Sequence, residues 1–155
     1  MARGIPEGLH SVTPALTVEG CAEAIETWKK AFGAEELTRA PDPTGKKIWH
    51  AAVRIGDSTI FCNDYSPEMM PNAPRQARLW IYLGDVDQAF QRAKGAGLKV
   101  AMEPGDMFWG DRICELHDRW GTQWVIAQRV KELSPAEMKK AQDEFVAKMP
   151  QQKRK

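Results

Sequence analysis

No run in this sequence approaches the roughly 18 apolar residues that a membrane-spanning helix needs. The first ten residues, MARGIPEGLH, hold no apolar signal segment. No membrane partner is expected, and the expected location is cytoplasmic. Cysteine is scarce. Cys21, Cys62 and Cys114 are far apart, odd in number, and form no C-x-x-C pair. That spacing excludes a disulfide framework and a zinc knuckle, and it fits reduced thiols in the cytosol. Neither charge dominates: 22 basic residues face 21 acidic ones, for a net charge of +1. The broad basic footprint of a nucleic-acid binder is missing, so no nucleic-acid partner is expected. The short basic tail Gln151 to Lys155 reads as a solvated end. Glycine-rich nucleotide loops and the G-x-S-x-G nucleophile motif are also absent.

What the sequence does contain is a repeat. Leu16-Thr17-Val18 leads into an amphipathic helix, a glycine at Gly33, and a strand-like run from Ile48 to Ile55 that turns at Gly56. Ile81-Tyr82-Leu83 leads into a second amphipathic helix, Gly97, and a run from Arg112 to His117 that turns at Gly121. The paired glycines lie 64 and 65 positions apart. In the first helix Ala22, Ile25, Trp28 and Phe32 recur at helical spacing; in the second, Val86, Ala89, Phe90 and Ala93 do. Asp85 and Gln88 suggest a cap for the second helix. Glu103 to Gly110 reads as a long loop. Ser134-Pro135-Ala136-Glu137 combines a serine cap, proline at the first position and glutamate at the third, which starts a C-terminal helix. The expected fold is α+β: one domain over 1–155, with two βαβββ modules at about 8–66 and 76–130 and a helix at about 135–148.

Period-two alternation orients the run from Ile48. Trp49, Ala51, Val53 and Ile55 form one face, expected against the helices. Ile48, His50, Ala52 and Arg54 form the other. A shift of 65 residues places Glu115 opposite His50 and His117 opposite Ala52, so these three are expected on the face away from the helices. A carboxylate within a strand of apolar neighbours is unusual unless paired. Glu115 therefore reads either as a partner of Arg112 or Arg54, or as a site residue. Phe108 and Trp109, in a turn-rich stretch between Gly105 and Gly110, can stack on a planar ligand. Asp111 and Arg112 are expected to fix that loop as an ion pair.

Several strings carry a family resemblance: Ile5-Pro6-Glu7-Gly8, Trp28-Lys29-Lys30-Ala31-Phe32-Gly33-Ala34-Glu35, and His50 through Asp57. The others are Phe108-Trp109-Gly110-Asp111-Arg112, His117-Asp118 with Trp120-Gly121, and Leu133-Ser134-Pro135-Ala136-Glu137-Met138. With these residues the sequence resembles the vicinal oxygen chelate superfamily of glyoxalases, ring-cleaving dioxygenases and bleomycin-resistance proteins, and within it the PhnB-like branch. The resemblance implies paired βαβββ modules that form a U-shaped mixed sheet. It also implies a metal held by four strands, at positions that fall on Thr13, Ile60 or Phe61, Arg78 and Val125. These residue types are not transition-metal ligands. No metal or other cofactor is expected at the usual place, although a divalent metal at His50, Glu115 and His117 stays open.

The expected function is binding of a small organic ligand in the cleft of the sheet by His50, Arg78, Phe108, Trp109, Glu115 and His117. The alternative is a metal-dependent lyase or dioxygenase, or a metal-free isomerase with Glu115 or His50 as the base. A homodimer is expected from the resemblance and from the apolar stripe Met138, Ala141 and Phe145.

Overall fold

The fold is a computed structural model that describes residues 4–150. The tail from Gln151 lies outside the described residues. The element order is β1 (Ala15–Val18), α1 (Cys21–Phe32), β2 (Glu35–Pro41), β3 (Ile48–Ile55), β4 (Ser58–Asp64), β5 (Ala77–Tyr82), α2 (Val86–Gly95), β6 (Lys99–Asp106), β7 (Asp111–His117), β8 (Thr122–Arg129) and α3 (Pro135–Lys148). Each half forms a four-stranded mixed sheet of the same design. The orders are β1-β4-β3-β2 and β5-β8-β7-β6, with β1 parallel to β4 and β5 parallel to β8. This is the α+β arrangement of two βαβββ modules expected from the repeat.

Both helices lie on one side and share one core. Trp28, Ile25 and Phe32 of α1 pack with Phe90 and Val86 of α2 and with Leu116, Trp124 and Ile126 of the second sheet. The Phe32 and Trp124 rings are 4.5 Å apart, and the Trp28 and Trp124 rings meet edge-on at 5.8 Å. Trp28 and Trp124 are fully buried; cutting either back to alanine costs about 3–5 kcal/mol in lost burial and cavity formation.

Three local devices start the helices. Gly20 before α1 is left-handed and offers no side chain, so Asp64, at the end of β4, supplies the cap: its Oδ1 accepts from the backbone N–H groups of Gly20 and Cys21, each at 2.9 Å. Asp85 caps α2 itself, accepting from the Gln88 N–H at 2.9 Å. Before α3, the Ser134 and Glu137 side chains form the reciprocal capping box.

The structure departs from the sequence reading in three places. Trp49 is 50% exposed rather than packed on the helices. Ala40 pairs with His50 and Pro41 with Ile48, so Trp49 is the extra residue of a bulge in β3, and Ile48, expected on the opposite face, takes the buried position. The stretch expected as a loop after Met102 continues as β6 to Asp106, kept in the ladder by two register shifts. Asp111 and Arg112 do not pair with each other, because adjacent strand residues point to opposite faces. Arg112 binds Asp87 and Asp106 on the helix side, and its hydrogen bond, helped by its charge, holds the Asp87 carboxyl below the usual carboxylate range.

Candidate functional site

On β5 the alternation Arg78, Trp80, Tyr82 faces away from the helices, while Leu79 and Ile81 pack on the core. Strand pairing extends this face. Trp80 stands beside Val125 of β8, which stands beside Glu115 of β7; Tyr82 stands beside Ala127, which stands beside Ile113. Val125, Ala127 and Ile113 form a small buried apolar floor covered by Met102, Met107 and Trp109. The face is thus a separate apolar layer, built on the opposite side of the sheet from the main core.

The loop from Met107 to Asp111 folds onto this floor. The Gly110 N–H donates to the Met107 carbonyl at 3.1 Å, and the Gly110 carbonyl accepts from Val130 and Lys131. Gly110 has φ +96°, and a Cβ there would lie 2.2 Å from the Lys131 carbonyl oxygen, so only glycine fits. The turn directs Trp109 toward the face, where its ring lies 6.3 Å from that of Trp80; Trp80 in turn lies 6.5 Å from Tyr82. Phe108 stands edge-on to Trp109 at 5.1 Å and rests on Phe145 of α3 at 4.9 Å.

Asp111, 1% exposed, holds this arrangement. Its Oδ2 accepts from the Tyr82 hydroxyl at 2.9 Å and from Trp109 Nε1 at 3.0 Å. Its Oδ1 lies 2.8 Å from Arg129 Nε, close enough for an ion pair. That N–H is not aimed at the oxygen, so Oδ1 accepts no hydrogen bond. A charge sunk this deep is tolerated because the guanidinium is adjacent and two donors fill the other oxygen.

At the other end of β5 sits a polar group. Arg78 Nη2 is 3.3 Å from Glu115 Oε2, and His117 Nε2 is 3.2 Å from Glu115 Oε1. Glu115 therefore bridges Arg78 and His117, not Arg112 or Arg54; Arg54 pairs with Glu35. His50 lies in the other sheet, its ring edge-on to Phe61 at 4.7 Å. Phe61 pairs with Ala52 and Val125 with Glu115, so Glu115 takes the place of Ala52 in the repeat rather than that of His50. The four-residue turn after His117 is longer than the two-residue turn at Gly56-Asp57 and displaces the register by two, which preserves the face. Arg78, Glu115, His117 and Trp109 thus share one surface. Phe108 supports it from the side of α3, and His50 is separate.

The sequence reading missed Trp80, Tyr82, Asp111 and Arg129 as members of this site. Trp80 and Tyr82 were reachable by the period-two argument applied to β3. Asp111 and Arg129 were not, because the Asp111–Tyr82 and Asp111–Arg129 contacts are assembled only by strand pairing.

Two recesses flank the face. Trp80 and Tyr82 line a cleft of about 570 Å³ that opens between β5 and the Gly56 turn, with Thr13 at its edge. Arg78, His117, Gln76 and Gln123 line a polar recess of about 400 Å³. Both volumes suit a small organic ligand.

The sequence profile of the Glyoxalase/Bleomycin resistance protein/Dioxygenase superfamily matches residues 8–126. The chain belongs to this superfamily. An uncharacterized protein from Mycobacterium tuberculosis is 39% identical to this superfamily member over 139 residues, covering 84% of this chain and 81% of that one. Among solved structures, TioX from a Micromonospora species matches with a TM-score of 0.62 at 20% identity, covering 81% of this chain and 100% of that one. The PhnB protein from Bacillus cereus matches with a TM-score of 0.56 at 14% identity, covering 77% and 99%. At such identities the structural likeness shows the fold alone.

The superfamily's metal positions can be tested against the donors present. Phe61, not Ile60, lies on the face away from the helices; Ile60 is in the core. The set is then Thr13, Phe61, Arg78 and Val125, which contains no imidazole, carboxylate or thiolate, and a divalent metal does not fit it. Among the described residues no group of three or more His, Cys, Asp or Glu side chains is placed to hold a metal elsewhere. The three thiols are buried. Burial pushes Cys114 up to about 11, and Cys21 is raised by its contact with Cys62, so neither is a ready nucleophile.

Proposed function

We propose that this superfamily member binds a small planar organic ligand on the face of Trp80, Tyr82 and Trp109, without the metal of its chelating relatives. The observation that carries the proposal is a replacement of chemistry at one place. Where metal-holding members have ligands, this chain has Arg78, Val125, Phe61 and Thr13, and an aromatic row supported by a buried carboxylate stands beside them. Rings fixed in position lose little freedom when a flat ligand stacks on them. The proposal includes a cytoplasmic PhnB-like protein that acts as a homodimer. The competing reading is a metal-dependent lyase or dioxygenase. Its support is the Glu115–His117 pair, which supplies two donors of the three or four that such a metal needs.

A thermal-shift screen with and without divalent metals separates the two. A ligand present at a hundredfold excess over Kd stabilises the folded state by about 2.7 kcal/mol. Stabilisation by planar organics in the presence of chelator is the expected result; stabilisation by nickel, zinc, manganese or iron alone would favour the enzyme. Trp109→Ala is expected to weaken ligand binding with little loss of fold stability, since the ring covers the small apolar floor and not the main core. A variant that unfolds while its residual folded fraction binds as before would remove Trp109 from the site.

A further inference from the structure

Each arginine on the aromatic face is more exposed than the carboxylate that holds it. The Arg78 side chain is 55% exposed against 22% for Glu115, and Arg129 is 39% exposed against 1% for Asp111. The anions are sunk into the sheet and the guanidinium groups are the more exposed members of each pair. A ligand settling on this face meets positive charge first, although the pairs are neutral in sum.

Arg78 is the freer of the two. Arg129 is engaged by Asp111 through Nε and by the Trp109 carbonyl through Nη1. Arg78 makes one long contact to Glu115, through Nη2. Among the described residues its remaining guanidinium nitrogens have no hydrogen-bond partner, which leaves donors that match a carboxylate. Its guanidinium carbon lies 6.0 Å from the centroid of Trp80. Trp80 lines the 570 Å³ cleft, and Arg78 lines the 400 Å³ recess. The guanidinium lies over the Trp80 ring, so a stacking surface and an anion receptor adjoin on neighbouring same-face residues of one strand.

We infer that the ligand of this face is a planar aromatic carboxylate, with its ring on Trp80 and its carboxyl group on Arg78. The spacing suits an acid whose carboxyl group is on the ring or one carbon removed from it. This inference rests on the proposed binding role and adds the charge and shape of the ligand. Neutral planar compounds gain the stacking but not the ion pair. Glu115 is a positioning residue for Arg78, and it also competes with the ligand for the same charge. His117, bonded to the other oxygen of Glu115, adds a polar group at the carboxyl end.

The test is calorimetric titration of the full chain with naphthoate and with naphthamide, which share a ring system and differ in charge. Naphthoate is expected to bind about tenfold more tightly, the ratio that one charge-assisted hydrogen-bonded pair supplies. Arg78→Met is expected to abolish that ratio by weakening naphthoate alone, and Arg78→Lys to fall between. Glu115→Gln removes the internal competitor and is expected to tighten naphthoate while leaving naphthamide unchanged, which a merely structural role would not do. Thermal melts of each variant check the fold. Equal affinities for the two compounds in the unaltered protein, or an Arg78→Met that weakens both alike, would overturn the anion site and leave the aromatic binding face standing. Failure of both compounds to bind would overturn the inference together with the reading beneath it.

Discussion

Asp118 and Asp111 are both buried carboxylates, and their partners give them different work. Asp118 accepts four hydrogen bonds from neutral donors: the indole N–H of Trp28 at 3.0 Å, that of Trp124 at 2.9 Å, and the backbone N–H groups of Trp120 and Thr122 at 3.0 Å. It therefore joins α1 of the first module to the β7–β8 turn of the second. Asp118→Ala leaves two buried indoles without acceptors, each a desolvation cost of about 1–3 kcal/mol. The expected loss is about 3 kcal/mol, or roughly 10 °C in Tm at this chain length. Thermal melting followed by tryptophan fluorescence checks it; a drop of only a degree or two would show that the indoles find other acceptors. Asp111 instead joins three side chains of the ligand face, so its loss falls on the geometry of Tyr82 and Trp109.

At the scale of elements, the end of β4 does what α1 cannot do for itself. A helix begins with backbone N–H groups that have no partner within it, and Gly20 has no side chain to offer. Asp64 fills two of these and, through its other oxygen, accepts from the Ile48 N–H at 2.7 Å. One side chain thus fixes the start of α1 and the start of β3. Asp64→Ala is expected to cost about 2 kcal/mol, the upper part of the range for a lost cap, measurable as a shift of the urea midpoint without a change in slope. In the second module the roles divide: Asp85 caps α2, and Gln128 at the end of β8 accepts from the Val86 N–H at 3.2 Å. α3 follows another rule. Its capping box sets where it begins, yet it contains no buried residue, and the Phe108–Phe145 contact links it to the loop that carries Trp109.

For the whole molecule, the two modules are one folding body, because residues of both fill a single core and the Trp28–Asp118 bond crosses between them. The opposite face keeps large apolar groups in solvent. Trp80, Tyr82, Phe145 and Val146 are all exposed, and such surface favours either a ligand or a second copy of the chain. The homodimer is tested by light scattering at micromolar concentration, where a mass of twice 17.4 kDa is expected. A mass of one chain would mean that the aromatic face is completed by its ligand alone.

The parts of this protein legible in the sequence are those governed by local periodicity and caps. The helical spacing of Ile25, Trp28 and Phe32, the glycines at Gly33 and Gly97, and the Ser134–Glu137 box each act within a few residues, so their elements could be read directly. The doubled pattern then implied two like modules. Part of the site was legible for the same reason: the face of a strand residue follows from its parity, which grouped Glu115 with His117. Tertiary structure decided the rest. A bulge at Trp49, opposite Ala40 and Pro41, turned that side chain outward, and a longer turn after His117 displaced the repeat register by two. The Tyr82 partner of Asp111 and the Glu115 partner of Arg78 come from strands 29 and 37 residues away. Such contacts depend on which strands pair and in what register, a choice made by burial of the whole core and not encoded by any neighbouring residue.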